Sequence, residues 1–93
     1  MVRPKKERRI CGQAAYHCFK PNGVPMSRLK QMELLPEELE ALRLADKEGF
    51  SQLDAATQMG VSRQTFGNIV NRARRKVAIC LVEGHALVLA EGQ

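Results

Sequence analysis

Apolar residues recur at helical spacing across the second half of the chain, and one turn interrupts them. Leu53, Ala55, Ala56 and Met59 form a first set; after Gly60 a second begins at Val61 and continues through Phe66, Ile69, Val70, Ala73 and Val77. This pattern predicts two helices joined by a tight turn over residues 52–69. Ser51 followed by Asp54 is close to a capping box, so the first helix should start at Gln52. Gly60 can take the left-handed conformation that ends a helix without a Cβ penalty, and Val61 then returns to the core. Ser62 suits the N-cap of the second helix. Val61 and Phe66 hold the two positions of a hydrophobic staple across that cap, which sets the direction in which the second helix leaves the turn.

With successive residues placed about 100° apart and Phe66 at zero, Ile69, Val70, Ala73 and Val77 fall within about 60° of it. Gln64, Asn68, Asn71 and Arg75 fall on the opposite face. Asn and Gln can bond adenine edges bidentately and Arg can bond guanine, so this face suits the major groove. The plain alternative is a solvated polar face. Three amides in one stripe, with five basic and no acidic residues from 63 to 76, favour the groove.

Residues 38–78, ELEALRLADKEGFSQLDAATQMGVSRQTFGNIVNRARRKVA, resemble region four of sigma factors and related regulators, where a leading helix precedes a helix-turn-helix and a basic RAR tail. The wider chain is similar to a small family of uncharacterised, predicted DNA-binding proteins of bacteria and archaea. The marks are an RPKK-type arm, FKPNG at residues 19–23, ELEALRL, SRQTFG and ARRKVA. The resemblance implies a mainly α fold, a trihelical sigma region-four-like helix-turn-helix core with short N- and C-terminal extended segments, and a DNA-binding transcriptional regulator. Two departures stand out. Leu53 and Asp54 replace the paired acids common after this Ser, and Gly67 sits inside the second helix at a cost of about 1 kcal/mol against Ala. That glycine is expected to mark a close approach to DNA or to a neighbouring helix.

Around this core, Pro36 suits the first position of a helix running to about Lys47, with Gly49 just past its end. Leu35, Leu39 and Leu42 share one face while Leu44 points elsewhere, which predicts cover on two sides. The second helix of the motif should continue to Val82 or Glu83 before Gly84 ends it, and its apolar last turns need cover. The chain thus divides into a basic arm at 1–9, an irregular segment at 10–35, the helix-turn-helix domain at 36–83 and an extended tail at 84–93. Ser27 is placed in a short turn or an irregular packing segment reaching Leu35. The tail HALVLA at 85–90 is apolar and of strand length, and is expected to pair with the segment near Ile10, within one chain or between two.

Ninety-three residues allow one domain with a modest core. The net charge of +5 suits a nucleic-acid partner, and its distribution says more. Residues 1–30 carry eight Lys/Arg against one acid, residues 37–54 carry six acids against two bases, and residues 63–76 are basic again. The leading helix should therefore face away from DNA. The phosphate contacts are assigned to Ser62, Arg63, Thr65, Arg72, Arg74 and Lys76, and to Arg3, Lys5 and Lys6 of the arm, with the recognition helix over 63–76. A single small reading head buries little DNA, so a homodimer is expected.

Three cysteines, with no signal peptide and no membrane-length apolar run, indicate a cytoplasmic chain with reduced thiols. Cys11, His17 and Cys18, with Cys80 and His85, have the chemistry of zinc ligands, but their spacing matches no usual knuckle. No metal and no cofactor is expected. No nucleophile and base stand at a catalytic spacing and no phosphate loop is present, so no enzyme is expected either. One phenylalanine-poor basic surface without an RNP-like pattern offers little for stacking RNA bases. The competing function is a protein-interaction module that contacts RNA polymerase or another regulatory subunit through the same helices.

Overall fold

A computed structural model describes residues 16–90. The chain forms strand β1 (Cys18–Phe19), a single 3-10 turn (Met26–Arg28), strand β2 (Gln31–Leu34) and helix α1 (Pro36–Leu42), which runs on as a widened helical stretch over Arg43–Lys47. Helix α2 (Gln52–Met59), helix α3 (Arg63–Glu83) and strand β3 (Ala86–Leu89) complete it. The fold is mainly α with one small three-stranded sheet.

The helix ends follow the signals in the sequence. Ser51 Oγ accepts the Asp54 N–H at 3.1 Å, and Ser62 Oγ accepts the Thr65 N–H at 3.1 Å, so each serine satisfies an amide of the first turn. Gly60 and Gly84 both take φ of 73°. Beyond each, the next residue's N–H returns to the last turn, Val61 to the Ala56 carbonyl at 3.0 Å and His85 to the Cys80 carbonyl at 3.1 Å. The widened stretch after α1 is visible in the Glu48 N–H, which bonds the Arg43 carbonyl five residues back at 2.8 Å.

Two apolar clusters meet on α1. Leu44 and Ala41 pack with Ala55, Ala56 and Met59 of α2 and with Phe66, Ile69 and Val70 of α3. Leu34 and Leu89 of the sheet pack with Ala73 of α3, and Leu39 and Leu87 lie against them. Leu42 touches both groups. Helix α1 is thus covered on two sides, as its divergent leucines predict.

The sheet adds a second partner for the tail, β2, which the sequence pattern does not indicate. Its order is β1-β3-β2, with β3 antiparallel to β1 and parallel to β2. The tail therefore pairs within its own chain, with Cys18–Phe19 on one side and with Gln31–Leu34 on the other; Ile10 lies outside the described residues. The segment expected to be irregular up to Leu35 supplies β2, whose Leu34 is buried against the helices. Leu89 and Ala86 are also buried, so these two tail side chains find their cover within their own chain.

Candidate nucleic-acid interface

Helix α3 carries its apolar stripe inward. Phe66, Ile69, Val70, Ala73 and Cys80 are buried. The turn at Gly60 and the Ser62 cap fix its start, and Val61 packs on the first cluster, of which Phe66 is a member. The opposite row, Gln64, Asn68, Asn71 and Arg75, is exposed along its length. None of the four has a hydrogen-bond or ion-pair partner among the described residues. Four planar polar groups thus project from one face of a rigid helix with their bonding capacity open.

At the start of the helix, Ser62 Oγ donates to Thr65 Oγ1 at 2.9 Å, so these two hydroxyls are fixed against each other. Arg63 is exposed and unpartnered among the described residues. Arg3, Lys5 and Lys6 lie outside those residues, as does Cys11.

Three further cations of the helix have work inside the molecule. Arg74 bonds Asp46 through two parallel contacts, Nε to Oδ2 at 3.1 Å and Nη2 to Oδ1 at 2.9 Å. Arg72 reaches α1, with Nε to Glu38 Oε2 at 3.1 Å and Nη2 to Glu37 Oε2 at 3.2 Å. Lys76 donates to Glu38 Oε1 and to the Glu33 carbonyl, both at 2.8 Å. The acidic leading stretch is therefore not simply turned to solvent; it holds α3 on both flanks, Arg72 and Lys76 on one and Arg74 on the other. Both charge blocks are visible in the sequence, but which acid meets which base depends on how the helices cross.

Glu38 is fully buried, and its carboxylate also accepts the Leu35 N–H at 2.9 Å. Burial pushes its pKa up, but the Leu35 amide, Lys76 and Arg72 outweigh this and hold it below the ordinary carboxylate value. The Arg74 hydrogen bonds hold Asp46 down in the same way, against a smaller effect of burial.

Gly67 has a local reason. A Cβ placed there would lie 3.0 Å from the side-chain nitrogen of Gln52, so the first residue of α2 occupies the space beside α3. The expected close approach is thus to a neighbouring helix.

Among the described residues, no three metal-binding side chains come together, and no helix is long and apolar enough to cross a membrane. Cys18 donates its thiol to the Met26 sulfur at 3.7 Å, and His85 contacts Glu83 Oε1 at 3.0 Å. Burial pushes the Cys80 thiol up, which keeps it protonated and unreactive.

No solved structure matches the chain. Among its relatives, the UPF0251 protein of Vibrio parahaemolyticus is 74% identical over 88 residues, covering 95% of this chain and 92% of that one. The UPF0251 protein of Aeromonas salmonicida is 56% identical, covering 96% and 87%, and that of Shewanella sediminis is 52% identical, covering 98% and 95%. The family described as "Protein of unknown function DUF134" matches residues 1–93, the whole length within which this capped helix pair and its acidic brace are built, and the chain belongs to that family.

Proposed function

We propose that the protein is a sequence-specific double-stranded DNA-binding regulator of transcription with a sigma region-four-like helix-turn-helix, in which α2 and the turn position α3 in the major groove. One observation carries the reading. Gln64, Asn68, Asn71 and Arg75 form a single exposed row, and nothing among the described residues uses their hydrogen-bonding groups. These side chains match the donor and acceptor pattern of base edges in the major groove. Arg63 at the start of the helix, with Arg3, Lys5 and Lys6 of the N-terminal arm, supplies phosphate contacts. Arg72 and Arg74 keep one guanidinium nitrogen outside their ion pairs and can add to them.

The protein acts as a homodimer in this reading, placing two such helices in successive major grooves. Selection of bound duplexes from a random pool, followed by binding at several salt concentrations, tests it. The expected result is a two-fold symmetric consensus and a log affinity that falls linearly with log salt. Absence of any consensus would reject sequence-specific reading.

A second reading has one observation in its favour. Leu53 in the first turn of α2 is 60% exposed and clear of the core, which suits a protein partner such as RNA polymerase. Replacing Leu53 by Gln should leave DNA affinity unchanged if that surface serves a protein instead.

A further inference from the structure

The polar row of α3 does not continue to its end. Past Lys76 the helix carries no basic residue, and its final turns present Leu81 and Val82, 79% and 84% exposed. These are the two most exposed large apolar side chains among the described residues. Such residues at the end of a long helix, beyond its own core, need a cover.

We propose that this end of α3 is the dimer surface, and that its occupant is the same surface of a second copy. The position of Leu81 around the helix supports this. It lies roughly 110° from the centre of the Gln64, Asn68, Asn71 and Arg75 row at 100° per residue, and Val82 lies within about 10° of that row, so a contact through both is directed about 60° away from it. Packing Leu81 against its two-fold mate therefore leaves both reading rows directed to the same side of the dimer, where one straight duplex can meet them.

Distance along the helix agrees. The contact, centred on Leu81 and Val82, is about 12 residues from the middle of the reading row and about 18 from its N-terminal end, or about 18 to 26 Å at 1.5 Å per residue. Two helices extending away from one contact place the middles of their reading rows roughly 36 Å apart, close to the ~34 Å between successive major grooves. This step rests on the DNA-binding reading; the apolar surface itself does not.

The sheet extends the surface. Lys76 reaches the Glu33 carbonyl, so β2 lies on one flank of α3, and the order β1-β3-β2 places β1 toward the other flank, where Leu81 is. Phe19 stands opposite Leu87 in the β1–β3 register and so shares the helix-facing side of the sheet, yet it is 54% exposed. With Leu81, Val82 and Phe19 contributed twice, the apolar contact is on the order of 1,000 Å² in total, near the lower limit for a specific interface. Charge favours this place as well. The nearest cation on the Leu81 flank, Arg74, is already paired with Asp46, so two basic copies meet here with little repulsion.

The test is sedimentation of the full chain and of the double variant Leu81→Glu, Val82→Glu at micromolar concentration. Both side chains are exposed, so the far-ultraviolet circular dichroism spectrum should not change. The wild type should sediment as a dimer and the variant as a monomer. A control, Val82→Ile, should remain dimeric. On DNA, the variant should lose at least about tenfold affinity for a duplex with two half-sites and keep its affinity for one half-site. A monomeric wild type, or a variant that remains dimeric, overturns the proposal. Mass is measured without DNA, so a dimer broken by the variant in a protein that prefers no duplex supports this surface and rejects only the DNA reading.

Discussion

The ammonium of Lys76 lies 2.8 Å from Glu38 Oε1 and holds a fully buried carboxylate of α1 against the middle of α3. The same nitrogen donates to the Glu33 carbonyl on β2, so one side chain joins α3 to both its brace and its sheet.

Removing the charge at Glu38 should loosen that junction. Glu38→Gln leaves Arg72 and Lys76 facing a neutral amide, and breaking a buried ion pair by one partner costs about 3 to 5 kcal/mol in full burial. Arg72 and Lys76 are partly solvated, with 50% and 26% of their side chains exposed, so screening reduces the expected loss to about 2 kcal/mol. Urea denaturation of both proteins measures it. An unchanged midpoint would mean that the brace contributes no stability.

Acid should act on the same contacts. Glu38 and Asp46 are held below their ordinary values, so in the folded chain they stay ionised where the unfolded chain has already taken up protons. Their contribution is complete above the ordinary carboxylate range, about pH 4 to 4.5, and is lost as pH falls through the lowered folded values. Melting temperature should be nearly level from neutral pH to about pH 5 and fall below it, and the double variant Glu38→Gln, Asp46→Asn should show a shallower acid limb.

Gly67→Ala should stabilise the protein. Helix propensity favours Ala by up to about 1 kcal/mol, and the obstacle is the tip of the exposed Gln52 side chain, which can swing aside. A rise of a few degrees in thermal midpoint is expected. A fall would show that Gln52 is held in place over α3.

Gln64→Ala and Asn68→Ala should each weaken binding to the selected duplex by about 1 to 3 kcal/mol and flatten preference at one or two base pairs. Both residues are exposed, so stability should hardly move. Full affinity with an unchanged consensus in either variant would remove this face from the groove.

Salt dependence should separate the cations. Arg63→Gln should reduce the magnitude of the log-affinity against log-salt slope by about 0.9, the value for one phosphate contact on duplex DNA. Lys76→Gln should lower stability and leave the slope nearly unchanged, since its ammonium is already committed to Glu38 and Glu33. A full loss of slope from Lys76→Gln would show that it leaves those partners for a phosphate.

Local chemistry made the helices legible. Ser51, Gly60, Ser62, Pro36 and Gly84 each act on their own backbone or on residues within one turn, so their effect can be read from short windows. The outward row of α3 was legible for the same reason, because helical periodicity alone places Gln64 opposite Phe66. The ion pairs were not, since Arg72 and Glu38 stand 34 residues apart and meet only once the helices have packed. Strand β2 escaped because Gln31–Leu34 is four residues long and reaches burial only at Leu34. Its partner β3 reads clearly as a strand, but nothing in HALVLA states which of two segments it will join, and it joins both.

The position of β3 also sets an order of assembly. The strand that lies between β1 and β2 is made after them, so while the chain is being synthesised neither earlier strand has a neighbour to bond. The helical core has its full complement of residues by Glu83, and the first cluster can close on the nascent chain. Leu34 stays open until Leu89 arrives beside it. A ribosome that stalls between these two points holds a protein with a finished helical core and an unfinished sheet, a state in which the exposed leucine and the unbonded strands invite capture by a chaperone.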